Sequence, residues 1–259
     1  MGLVYLQKQK IMINKMFISL ITLFLVLIFA SCKEEGFKLE GKANLVDKCE
    51  YAMLFTFDAN DRILSVDTTD IKNGTFEFSG KEYLSNYSVV SIGNYPNTVL
   101  SAEVILEKGT IKLEMDTAYY KIGGTKFNDL HQSYIDSINL YNEKIIQAFD
   151  EGYNDKRKEY VKMRNDFQFN FIKNNILNVV GKKVFMDDLY SFFYDPLCEI
   201  MELADDEIKL NKEVLKELDY RKKEEERLKN AEKWRGVEFT DFTLTSVNGK
   251  PTKISDLYG

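Results

Sequence analysis

A chain of 259 residues has room for one large domain or two modest ones, and 44% apolar with 29% charged residues is the composition of a globular protein. The formal net charge of −6, with Lys and Arg nowhere massed into a stripe, excludes a nucleic-acid partner, since phosphate binding needs a basic surface. Three prolines make no Pro-rich linker, and the three cysteines, Cys32, Cys49 and Cys198, make no Cys-x-x-Cys.

Residues 17–30, FISLITLFLVLIFA, carry no charge, follow Lys15 and precede Ser31-Cys32. The run falls short of the roughly 20 apolar residues of a spanning helix and reads as the apolar part of a signal peptide over 1–31. Residues 1–11 lie upstream of Met12 and Met16, either of which opens a more usual signal. Phe29-Ala30-Ser31-Cys32 resembles a bacterial lipobox, which implies cleavage before Cys32, lipidation of its thiol and attachment to a membrane. The expected location is the cell envelope, on the periplasmic side or the outer surface. Lys33-Glu34-Glu35, in a tether over 32–36, is similar to a signal for the outer face of the outer membrane; read without that likeness it is a solvated spacer.

From 37 to 125 the hydropathy period is two. Strands are predicted at 37–41, 51–57, 62–69, 75–80, 87–92, 98–106 and 110–115, with Lys72-Asn73-Gly74 as a tight turn. Short strands at this spacing predict an antiparallel, β-sandwich-like domain whose many aromatics fill its core. At 126–235 the period becomes helical: a helix capped by Asn128-Asp129 and carrying Leu130, Tyr134, Ile138 and Tyr141, a second over 156–174, an apolar third over 179–201 and a charged fourth over 205–234. The fourth reads as a solvated connector held by Glu/Lys pairs three or four apart. Residues 236–259 return to strand signals around Val247-Asn248-Gly249-Lys250, a predicted type I′ hairpin.

Chemistry is sparse. His131 is the one histidine and, near a helix start, reads as a surface or cap residue. Asp58-Ala59-Asn60-Asp61 opens like a calcium loop, but Arg62 and Thr69 stand where ligands should follow. Asp187-Asp188 and Asp205-Asp206 are helical neighbours about 100° apart, so neither pair makes a dyad. Cys49 and Cys198 read as separately buried thiols. No catalytic, cofactor-binding or metal-ligating residue is expected; Cys32 is the one site residue.

The tail VEFTDFTLTSVNGKPTKISDLYG resembles the opening of the thioredoxin-like domain in the alkyl hydroperoxide reductase/thiol-specific antioxidant group, closest to membrane-tethered thiol-disulfide oxidoreductases of the cell envelope. The matching residues are Asp241-Phe242, Leu244, Asn248-Gly249-Lys250, Ser255-Asp256-Leu257 and Gly259. Residues 37–125 resemble the β domain of unknown function that precedes the redox domain in such lipoproteins, through FKLEG at 37–41, DIKNGTFEFSG at 70–80, LEKGTIK at 106–112, Ile122-Gly123-Gly124 and Asn128. FIKNNILNVVGKKVF, at 171–185, looks like their connector. The resemblance implies an α+β chain that ends in the β-hairpin start of a thioredoxin-like domain, truncated before the family's Cys-x-x-Cys. The expectation is therefore a lipid-anchored envelope protein, inactive in thiol-disulfide exchange as written, with an envelope protein as partner. The alternative is a periplasmic or surface-exposed binding lipoprotein that recognises a peptide, glycan or partner protein.

Overall fold

The computed structural model describes residues 36–44, 49–57, 62–81, 83–94, 97–117, 119–233, 235–236, 240–245, 247–253 and 255. The signal, Cys32, Lys33-Glu34-Glu35, Asp58 to Asp61 and, in the tail, Asp256-Leu257 and Gly259 lie outside them.

Eight strands come first: β1 (Phe37–Ala43), β2 (Tyr51–Phe57), β3 (Ile63–Asp70), β4 (Thr75–Gly80), β5 (Tyr83–Asn94), β6 (Asn97–Leu106), β7 (Gly109–Met115) and β8 (Tyr120–Gly123). They form two four-stranded sheets, ordered β4-β1-β7-β8 and β3-β2-β5-β6. Neighbours are antiparallel except β1 and β7, which run parallel with Leu39 opposite Ile111. This corrects the expectation of an all-antiparallel unit. The Gly109 N–H donates to the Gly36 carbonyl at 3.1 Å, so β7 enters the sheet from the end at which β1 begins. The strand β8 is one that the sequence pattern alone did not delimit.

Period two does the sorting. In β1, Phe37, Leu39 and Ala43 point inward while Lys38, Glu40 and Lys42 point away. Ile111, Leu113 and Met115 of β7 and Phe76 and Phe78 of β4 join them, and Leu54, Val90, Ile92, Val104 and Leu106 from the other sheet complete one core. Each such side chain stabilises the fold by about 1.5–3 kcal/mol on burial. The β3–β4 turn is type I′: Asn73 and Gly74 have φ of 53° and 74°, and Lys72 and Thr75 exchange N–H···O bonds of 2.9 and 3.0 Å.

The helices follow: α1 (Lys126–Asp150), α2 (Asn154–Asn175), α3 (Val179–Asp187), a 3-10 turn (Leu189–Ser191), α4 (Tyr194–Leu203), α5 (Asp206–Lys209) and α6 (Lys212–Lys233). α1 and α2 pair antiparallel, with Tyr134 against Phe171 (4.7 Å between ring centroids) and Tyr141 against Phe167 (5.8 Å). Tyr87 of β5 and Ile105 of β6 face a second core with Ile172, Ile176, Val184, Phe185, Leu197 and Ile200. One sheet is therefore covered on both faces.

Two predicted helices are broken, for local reasons. Pro196 has no N–H and is tolerated only in a helix's first turn, so the 179–201 span ends at Asp187 and restarts at Tyr194. Asn211 Oδ1 accepts from the N–H groups of Glu213 (2.9 Å) and Val214 (3.2 Å), which caps α6 and splits the 205–234 span. On α6, the pairs Asp219–Lys223, Glu224–Arg227 and Glu225–Lys229 have the expected spacing. Among the described residues no helix is long and apolar enough to cross a membrane.

The tail strands β9 (Thr243–Thr245) and β10 (Pro251–Lys253) pair antiparallel, Thr245 opposite Pro251. That register leaves five residues between them, and among the described ones Gly249, φ 73°, is the one in the left-handed region. The predicted type I′ turn, which needs positive φ at both Asn248 and Gly249, is not formed. A single left-handed glycine belongs to the longer hairpin loops, and Pro251 brings no N–H to tighten this one.

Candidate functional site: the seam between sheets and helices

Polar side chains are buried together at one place, where α1 leaves β8. Asn128 is fully buried. Its Oδ1 accepts from the Ile105 N–H at 3.0 Å, and its Nδ2 donates to the Ile105 carbonyl at 2.8 Å and to Thr125 Oγ1 at 2.8 Å. The carboxamide thus acts as one more peptide group on the edge of β6. Glu107 Oε1 accepts from the N–H groups of Phe127 (2.6 Å) and Asn128 (3.1 Å), so a carboxylate from the end of β6 caps the helix that follows β8. Asp129 Oδ1 accepts from the Gly124 N–H at 2.8 Å, and Gln132 Oε1 from the Ile122 N–H at 2.7 Å. One helix start therefore closes an edge of each sheet. The cap expected at Asn128-Asp129 is corrected: α1 begins at Lys126, Asn128 reaches back to β6, and Asp129 reaches Gly124 just past the end of β8.

His131 lies one residue short of that seam's last contact and is 5% exposed, not at the surface. Its ring meets Tyr87 edge-on, centroids 5.0 Å apart. Neither His131 Nδ1 nor Tyr87 Oη has a hydrogen-bond partner. Burial, aided by the charge of Lys183, holds the imidazole down at a pKa of about 4. Burial, then the charge of Glu103, pushes the Tyr87 phenol far up and that of Tyr120 to about 12. Lys183 closes the group, with its Nζ 3.1 Å from Glu103, 2.6 Å from Asp187 and 5.5 Å from the Tyr87 ring centroid. Burial alone would lower its pKa; Asp187 and Glu103 carry it above the ordinary value. At neutral pH the cluster is a neutral imidazole, a phenol and a paired ammonium. It holds helix to sheet, with the His131 and Tyr87 rings buried and Lys183 partly exposed at its rim.

The open surfaces lie on the outer face of the β4-β1-β7-β8 sheet. Lys and Glu alternate there across strands: Glu40 is opposite Lys112, Lys42 opposite Glu114, and Glu114 opposite Lys121. Lys38 pairs with Glu40 at 2.9 Å and with Glu77 at 3.1 Å. Two shallow grooves, of about 600 and 530 Å³, meet at Lys112 and Glu114. The first runs over β1, β4 and β7 and the second between β7, β8 and the Gln132 to Ser137 stretch of α1.

The two described cysteines are free and half-buried, with Cys49 against the core between the sheets and Cys198 on α4. Asp187 and Asp188 diverge, as their spacing implied: Asp187 goes to Lys183, while burial raises the pKa of Asp188 against a hydrogen bond from Ser191. Asp205 accepts from the Ile208 N–H and lies 2.7 Å from Lys182 Nζ. Among the described residues no group of three or more His, Cys, Asp or Glu side chains could hold a metal ion. In the tail, Asp241 accepts from the Ser255 N–H (3.0 Å) and Ser255 Oγ (2.8 Å).

Residues 37–131 match a family model described as a domain of unknown function, DUF4369. The match starts with β1 and ends at His131, so it takes in the sheets and the seam contacts of Asn128 and Asp129, and stops one residue before Gln132. No curated protein matches the chain.

Proposed function

We propose that the chain is a lipid-anchored cell-envelope protein related to the thioredoxin-like thiol-disulfide oxidoreductases, with Cys32 as the lipidated residue. In this reading the two sheets are a sandwich over 37–125, the helices at 126–235 are a connector, and 236–259 begin a thioredoxin-like domain. The observation that carries it is the tail. Asp241 and Ser255, one from each half of the resemblance, are joined by two hydrogen bonds across the β9–β10 hairpin.

The sheets and helices then serve as a scaffold and docking part and not as the redox centre. Thiol-disulfide exchange needs an attacking thiolate and a resolving thiol within reach, and Cys49 and Cys198 stand on separate packing units. In an insulin-reduction assay with dithiothreitol, the 259-residue chain is expected to leave the rate at that of dithiothreitol alone. An acceleration abolished by Cys49→Ser or Cys198→Ser contradicts the reading.

A further inference from the structure

Of the four outer strands, three have their edges managed. β6 and β8 are closed by Asn128 and Gln132 of α1, and β4 is short, with Phe76 and Phe78 turned inward and Glu77 outward. β3 is different. It is an edge strand of 8 residues, seven of them exposed, with Ile63 55%, Leu64 60% and Val66 45% exposed. No described strand pairs with its outer edge. A long apolar edge of this kind is a template for another strand.

We propose that β3 pairs antiparallel with β3 of a second copy of this chain, joining two four-stranded sheets into one of eight strands. The register follows from the sequence. A two-fold axis normal to the sheet keeps each face on its own side, so the residue numbers of each facing pair must sum to an even number. Centring the axis on Asp67 sets two carboxylates against each other, and centring it on Ser65 sets Ile63 against Asp67. Centring it on Val66 uses the whole strand. Val66 meets Val66, Leu64 meets Thr68, Ser65 meets Asp67, and Arg62 at one end meets Asp70 at the other, twice by symmetry. Asp70 already lies 3.7 Å from Lys72 Nζ, so each end gathers two cations around one carboxylate. Self-complementary charge around an apolar centre favours a second copy over an unrelated extended peptide.

Cysteine scanning in membranes of cells expressing the full chain reads the register directly. On the axis, two Val66→Cys residues have Cα atoms about 4.5–5.5 Å apart, within disulfide reach, whereas two Leu64→Cys residues are offset by about 14 Å. Under mild oxidation Val66→Cys is expected to form at least about tenfold more disulfide-linked dimer than Leu64→Cys or the unsubstituted chain, whose own cysteines give the background. Val66→Lys is expected to shift the detergent-solubilised chain from dimer to monomer in sedimentation. Equal cross-linking by Val66→Cys and Leu64→Cys, a monomeric unsubstituted chain, or a dimer that survives Val66→Lys overturns the proposal.

Discussion

His131 sits neutral in the seam because the imidazolium would lose its water and face Lys183. Its folded-state pKa of about 4 lies below the ordinary 6.5, so the unfolded chain takes up the proton first as pH falls. The stability at stake is fully present above pH 6.5 and is lost as pH falls from there toward 4, by about 3 kcal/mol. His131→Phe, which keeps an aromatic edge against Tyr87, is expected to flatten the urea-unfolding midpoint across that window. An unchanged slope between pH 6.5 and 4 would assign the acid sensitivity to other groups. Nothing in the sequence marked this residue as buried. One histidine near a helix start carries no sign of the strand that packs on it, and Tyr87 is 44 positions earlier.

At the scale of elements, α1 is the part that joins sheets to helices, and its hold on β6 runs through Asn128. Asn128→Ala strands the Ile105 N–H and carbonyl in a buried place, each costing about 1–3 kcal/mol. Loss of roughly 3 kcal/mol in urea unfolding is expected, with α1 amides losing hydrogen-exchange protection together with those of β6. A loss under about 1 kcal/mol would mean that water replaces the carboxamide. The elements themselves were largely legible. Alternation of Phe37, Leu39 and Gly41 with Lys38 and Glu40 located β1 though not its last two residues, and Lys72-Asn73-Gly74 located a tight turn, which forms as type I′. The same dipeptide at 248–249 did not, because turn chemistry is decided also by the strands it joins, and here those are three pairs with a proline at one end. Asn128 and Asn211 show the matching limit for caps. Asn128 was read as a helix starter yet bonds a strand 23 positions away, and Asn211, not singled out in the sequence, breaks a helix read as continuous.

For the whole molecule, the layers run sheet, sheet, helices, with β5 and β6 contributing to both cores. Sequence period predicted that mixed α+β organisation, but not the parallel β1–β7 pair, since hydropathy fixes which face a residue takes and not which way its neighbour runs. The charged outer face, the seam and the edge of β3 that no described strand pairs with all depend on strand order, which no local signal carries. Cys32 and the signal, by contrast, were read from sequence alone and stand at the centre of the functional proposal. Mass spectrometry of the chain extracted from membranes of an expressing bacterium tests them most directly. A mature N-terminus at Cys32 bearing a diacylglyceryl group is the expected result, with Cys32→Ala abolishing both cleavage and lipid. A chain that retains residues 1–31 with an unmodified Cys32 thiol contradicts the proposal.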